Sequence, residues 1–168
     1  MTKRSTAALV WSGLTLGALA PDANAGPCRV LDGPFTSMLD HGPACSASPI
    51  WTCTHGHLAG ELDAKYEFTF YTLVPDAMES GRLNYEGTSV ITMANGARMF
   101  GKDHGYFRVH PDGSGAFETT VHIQGGTSDY STVSGQIVAS GSFQQSGSAV
   151  GSYTGFICPS SAASGCNQ

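Results

Sequence analysis

The feature that most constrains this fold is a long alternation of apolar and polar residues between His57 and Val74. A period of two over such a span is typical of a β-strand with one buried face. Its length predicts a long, bent strand of the kind that builds barrels. The apolar residues fall on even positions: Leu58, Leu62, Ala64, Tyr66, Phe68 and Phe70.

Shorter segments with the same period follow, separated by turn residues. Predicted strands cover residues 82–93, 97–102, 105–110, 116–124, 135–143 and 149–158. Asn95-Gly96 is a strong hairpin signal, a turn in which both residues would need positive φ. Seven or eight short strands fit either a sandwich or an up-and-down barrel, and the short connections favour the barrel.

The composition agrees with this fold. The chain has 22 glycines among 168 residues, few of the Lys, Glu and Leu residues that favour helices, and only 12% charged residues. The net charge of −5 and the lack of a basic stripe argue against a nucleic-acid partner. We therefore predict an all-β protein, a single antiparallel up-and-down β-barrel of about eight strands with irregular, disulfide-stapled termini.

Residues 1–25 have the three parts of a secretory signal peptide. Two basic residues near the start precede an apolar run over 7–20, and small residues at 23–25 offer a cleavage site. The run is too short to cross a bilayer of about 30 Å, so no transmembrane segment is predicted. We expect a secreted or periplasmic protein whose mature chain begins at Gly26.

The cysteines indicate how the ends of the exported chain are held. The predicted organisation is a signal peptide over 1–25, an irregular arm over 26–52, the barrel over 53–158 and a loose tail over 159–168. In an oxidising compartment, cysteines near loose ends form disulfides. The spacing leaves the connectivity open, but at least one disulfide should involve Cys53 or Cys158, which bracket the strand-rich region. The candidates are Cys28, Cys45, Cys53, Cys158 and Cys166.

No metal or cofactor motif is evident in the sequence. His55 and His57 share one strand face, but no third ligand accompanies them and no C-x-x-C pair occurs. Phosphate-loop and dinucleotide-binding motifs are also lacking. We expect neither a metal nor a cofactor.

Two segments resemble the allene oxide cyclase-like barrel family. Residues 121–137 read VHIQGGTSDYSTVSGQI, which is similar to a strand, glycine pair and following strand of that barrel. Residues 151–158 read GSYTGFIC, which resembles the closing strand of bacterial members, and plant dirigent proteins share a similar arrangement. Over about residues 57–158, the resemblance implies an eight-stranded barrel around an apolar cavity, no cofactor, and a homo-oligomer, since the plant enzymes are trimers.

The resemblance also implies a site on the first long strand. The plant family carries Tyr-Glu-x-Asn with a later Pro, and here Tyr66-Glu67-Phe68-Thr69 precedes Pro75. Glu67 would be the catalytic acid, and Thr69 would orient water or substrate. The alternation favours a different interpretation, in which the even face points inward and Glu67 lies in solvent.

Aromatic residues complete the predicted site. Tyr85 is the third candidate catalytic residue, because a phenol can assist proton transfer. Asp103 and His104 lie where two predicted strands meet and form no ready dyad, because neighbouring strand residues point apart. The residues predicted to line a cavity are Tyr66, Phe68, Phe70, Tyr71 and Pro75.

Three functions remain open for such a barrel. The first is a cofactor-independent cyclase or isomerase that folds an apolar small molecule within the cavity. The second is a noncatalytic binder of small lipophilic molecules. The third is a structural or interaction barrel with a filled interior, because side chains can just fill an eight-stranded barrel. An open interior containing a carboxylate would distinguish them.

Overall fold

The computed structural model describes residues 27–159 and shows one closed barrel of eight antiparallel strands. The strands are β1 Arg29–His41, β2 Thr52–Leu58, β3 Ala64–Pro75, β4 Arg82–Met93, β5 Arg98–Val109, β6 Gly115–Gly126, β7 Val133–Phe143 and β8 Ser148–Pro159. They pair in chain order, and β8 closes onto β1. The predicted up-and-down barrel is confirmed. The predicted signal peptide, the tail beyond residue 159 and Cys166 lie outside the described residues.

The first strand corrects the predicted irregular arm over 26–52. Arg29–His41 is a full barrel strand that pairs with β2 on one side and β8 on the other. Small residues alternate with large ones on its inward face, which weakens the period-two signal in the sequence. The inward residues are Leu31, Gly33, Phe35, Ser37 and Leu39.

Two other strand predictions were wrong in their boundaries. The predicted continuous strand over 57–74 is divided between β2 and β3 by a loop at residues 59–63. The predicted strands 97–102 and 105–110 are one strand, β5. The Asn95-Gly96 hairpin is confirmed, but of the two residues only Gly96 has positive φ, at 83°. The amide of Gly96 donates to the Met93 carbonyl at 2.9 Å, so the turn spans residues 93–96.

Two disulfides cross-link segments that flank the first strand to neighbouring strands. Cys28 bonds to Cys158, and Cys45 bonds to Cys53. The expectation that Cys53 or Cys158 is disulfide-bonded is confirmed for both, although not to each other. The first disulfide joins the chain before β1 to β8, and the second ties a 3-10 helix at Gly42–Cys45 to β2.

One end of the barrel, which we call the sealed end, is closed by packed side chains. Leu31 and Met99 are fully buried there. The loop between β2 and β3 folds across this end and inserts Leu62 into the core. The Tyr153 hydroxyl donates to the Ala59 carbonyl at 2.7 Å and accepts from the Leu62 amide at 3.2 Å. These two hydrogen bonds fasten the loop to β8.

Candidate functional site

The other half of the barrel, the open end, contains a cavity of about 280 Å³. Leu73 and Val109 lie at its mouth and are partly exposed. Aromatic and aliphatic side chains with a few polar groups form the wall, which is the usual composition of small-molecule sites. The large side chains on the wall include Leu39, Phe68, Phe70, Tyr85, Phe107 and Phe143.

A β-bulge in β3 decides which side chains reach the mouth. The pairing of β3 with β4 leaves Tyr71 as an extra residue between Phe70 and Thr72. Alternation therefore shifts by one position after the bulge, and Leu73 faces the cavity. Tyr71 is exposed, and Pro75 is exposed at the end of the strand. Neither lines the cavity as predicted: Tyr71 lies on the outer face, where its hydroxyl is 3.1 Å from Thr88 Oγ1, and Pro75 ends the strand at the rim.

Two glycines let aromatic rings lie against the barrel wall. A Cβ on Gly87 would lie 2.5 Å from a ring carbon of Phe68, and a Cβ on Gly105 would lie 2.6 Å from the Tyr85 hydroxyl. Any side chain at either position would displace the ring. Gly87 pairs with Asp103 across the sheet, and Gly105 is two residues further along the same strand. The two rings therefore lie close to Asp103.

Asp103 is the buried acidic group of the cavity wall, with only 6% of its surface exposed. Ser89 donates a hydrogen bond from Oγ to Oδ2 of Asp103 at 2.6 Å. The second oxygen, Oδ1, is buried and has no hydrogen-bond partner within residues 27–159. Burial raises the pKa of Asp103 to about 7, against the opposing effect of the Ser89 hydrogen bond. The group therefore changes charge near neutral pH.

Two tyrosine hydroxyls face the same space. Tyr66 is hydrogen-bonded to Ser37 and Thr54, and Tyr85 is hydrogen-bonded to Thr119. Burial raises the pKa of both phenols, and the nearby carboxyl group raises it further. Both hydroxyls consequently stay neutral and are able to donate or accept a hydrogen bond.

The predicted site residues fall on both sides of the barrel wall. Four line the cavity: Tyr66, Phe68, Phe70 and Tyr85. Glu67 and Thr69 lie on the outward face of β3, and Glu67 is exposed. The catalytic role that the resemblance implies requires Glu67 to face the cavity. Because Glu67 faces outward, its carboxyl group does not reach the cavity. The even face of this strand points inward, as the alternation favoured.

Asp103 and Ser89 were not singled out as site residues from the sequence. The prediction divided β5 near Asp103, which left that residue at a junction. Read as one strand, the odd positions of β5 share a face with buried Met99, and Asp103 is among them. Ser89 likewise lies on the predicted apolar face of β4, between Tyr85 and Ile91. Continuous alternation through both strands was the signal that could have found the pair.

Two histidines on the outer face of β2 each have a carboxylate partner. His55 Nδ1 is 2.7 Å from Asp40 Oδ2, and His57 Nε2 is 3.2 Å from Asp63 Oδ1. Within the described part of the chain, no group of three or more His, Cys, Asp or Glu side chains is arranged to hold a metal ion. Over the same residues, no helix has the length and apolar character needed to cross a bilayer.

Comparison with known proteins adds no family to this description. The sequence matches no model of a protein family, and a search of curated proteins found no match.

Proposed function

We propose that this protein binds a small, mainly apolar molecule in the open end of its barrel. The observation that carries the proposal is the cavity of about 280 Å³, which is walled largely by aromatic and aliphatic side chains and has Leu73 and Val109 at its mouth. Its size is near the lower limit of small-molecule pockets, about 300 Å³. The structural alternative with a filled interior suits the sealed end and not this half.

Few polar groups are available to orient the ligand. The hydroxyls of Tyr66 and Tyr85 and the carboxyl group of Asp103 face a largely apolar space. A small number of well-placed polar atoms fixes orientation, while burial of apolar surface supplies most of the affinity. A ligand with one polar group and a compact hydrocarbon body fits this arrangement.

A substitution that blocks the mouth of the cavity with a large side chain tests the proposal. Ala149→Trp would place an indole at an inward position of the mouth, whereas Ser152→Trp would place the same group on the outer face of the same strand. We expect the neutral fluorescent dye N-phenylnaphthylamine to bind wild type and Ser152→Trp equally, and Ala149→Trp at least about tenfold more weakly. Equal binding by all three proteins would contradict the proposal.

A second candidate function is a cofactor-independent cyclase or isomerase with Asp103, rather than Glu67, as its acid. The specific observation is a carboxyl group with a pKa of about 7 inside an apolar cavity. General acids work best with a pKa near the operating pH. Protonated Asp103 would donate its proton to an epoxide oxygen as the C–O bond breaks. The carboxylate would then take a proton from the rearranged substrate.

This candidate requires turnover that depends on Asp103. Wild type, Asp103→Asn and Glu67→Gln would be incubated with unsaturated apolar epoxides and the products separated chromatographically. Catalysis predicts enantiomerically enriched cyclic products from wild type and Glu67→Gln only. If none of the three proteins forms more product than a protein-free control, the catalytic function is contradicted and the binding function stands.

We also propose that the protein is exported and belongs to the allene oxide cyclase-like barrels. The disulfides Cys28–Cys158 and Cys45–Cys53 support an oxidising compartment. The closed eight-stranded meander agrees with the strand number that the resemblance implies. N-terminal sequencing of protein recovered outside the cytoplasm should begin at Gly26, and retention of Met1 would overturn the export proposal. The homo-oligomer stays a prediction.

A further inference from the structure

The charge of the cavity wall restricts the chemistry of the ligand. Of the described residues that line the cavity, Asp103 is the only carboxylic acid, none is a lysine or an arginine, and the one histidine, His41, ends β1 at the open end. The remaining polar wall groups near Asp103 are neutral hydroxyls on Ser37, Thr54, Ser89 and Thr119 and the two phenols. An anionic ligand such as a fatty acid would meet negative charge without a compensating cation.

We propose that the ligand of the open end is a lipophilic amine whose ammonium group binds the carboxyl group of Asp103, which lines the cavity. The inference rests on the proposed binding function and specifies its ligand class. Oδ1 is buried without a hydrogen-bond partner, whereas Oδ2 is already bonded to Ser89. An ammonium group would supply both the missing donor and the missing positive charge.

The aromatic wall favours the same ligand. Phe68 lies over Gly87 and the Tyr85 hydroxyl lies over Gly105, which places both rings close to Asp103. Aromatic faces attract cations, most strongly where water is excluded. The rings of Phe68 and Tyr85 are 5.5 Å apart between centroids, and Phe70 packs against both. The hydrocarbon part of the amine would lie among these rings and extend toward the mouth.

The proposal predicts a specific pH dependence. Asp103 faces titratable Tyr66 from β3 and Tyr85 from β4, both of which remain neutral, and its pairing partner on β6 is Val121. Amine binding therefore requires ionisation of Asp103 itself. With a pKa of about 7, the association constant should rise about tenfold between pH 6 and pH 8. A neutral alcohol should show no such rise.

Three probes that share one body test the ligand class: phenylbutylamine, phenylbutanol and phenylbutyrate. Their affinities are measured by calorimetry and by displacement of N-phenylnaphthylamine. At pH 8 we expect the amine to bind at least about tenfold tighter than the alcohol, and the carboxylate to bind weakest. Asp103→Asn should reduce amine binding to the level of the alcohol and remove its pH dependence. Glu86→Gln, which removes a carboxylate from the outer face of β4, should retain both.

The outcomes separate this inference from the function on which it rests. If wild type binds alcohol and amine equally and Asp103→Asn changes neither affinity, the amine inference is overturned while lumen binding stands. If neither the dye nor any probe binds, the proposed function fails and the inference fails with it. Alcohol binding that persists in Asp103→Asn shows that this variant is folded.

Discussion

The two ends of this barrel share eight strands and one alternation pattern, yet one end is filled and the other is open. At the sealed end, Leu31 and Met99 are fully buried in one core cluster, to which the β2–β3 loop adds Leu62. At the open end, Phe68 and Tyr85 lie against the wall over glycines. The number of strands limits the width of a barrel. The size of the inward side chains and the course of the loops then determine whether the interior is filled.

The largest expected contrast concerns the two disulfides. Cys28–Cys158, near the sealed end, joins residues 130 apart, whereas Cys45–Cys53, near the open end, joins residues 8 apart. Loop-closure entropy predicts losses of about 5 and about 2.5 kcal/mol when each pair is changed to alanine. Urea unfolding of the two double variants measures the free energies. Equal losses would contradict the expectation that the disulfide closing the longer loop stabilises the fold more.

Matched leucines on β1 give the next contrast. Leu31 is fully buried at the sealed end, whereas Leu39 is partly buried and borders the cavity. Leu31→Ala should lower the free energy of unfolding by about 4 kcal/mol, because it leaves a void in a packed core. Leu39→Ala should lower it by about 1 kcal/mol, because the space beside it is already open. Similar losses in denaturant unfolding would contradict the division into two ends.

The buried carboxyl group of the open end should make stability pH-dependent. Asp103 has a folded-state pKa of about 7, above the unfolded value of about 3.9, so folding favours its protonated form. Its contribution to stability is complete below the unfolded pKa and is lost as the pH rises through about 7. Between pH 5 and pH 8, wild type should lose about 3 kcal/mol relative to Asp103→Asn. If the stabilities of the two proteins change in parallel with pH, the carboxyl group of Asp103 is solvated in the folded state and its burial is contradicted.

The smallest expected effect separates the inner and outer faces of β3. Glu67 is exposed on the outside of the wall. Glu67→Gln should change the free energy of unfolding by less than about 0.5 kcal/mol and leave dye affinity unchanged. Thermal unfolding and dye titration provide both values. Loss of dye binding in this variant would show that Glu67 contributes to the ligand site, as the resemblance implies.

Much of the barrel was predictable because alternation is a local property of the sequence. β4 was predicted with its observed bounds of Arg82–Met93, and the inward even face of β3 was favoured from its apolar residues. β1 was missed because glycine and serine occupy inward positions where the barrel needs small side chains. The need for small side chains at these positions depends on how closely neighbouring strands pack, and the sequence of one segment does not reveal that.

The site was less predictable than the fold. Tyr66, Phe68 and Phe70 were expected in the cavity because large aromatic residues on an apolar face point inward. Asp103 interrupts such a face, and a charged residue within a strand suggests a break rather than a burial site. The hydrogen bond from Ser89 to the buried Asp103 joins β4 to β5. It could not be predicted without the register between these two strands.

Direct contacts between a bound probe and the protein test the central claim that the open end is the ligand site. Intermolecular nuclear Overhauser effects would be recorded for wild type saturated with phenylbutanol. We predict contacts from the probe to Phe68, Phe70 and Tyr85, and none to Leu31 or Met99 at the sealed end. Contacts confined to the outer surface, or to the sealed end, would contradict the account.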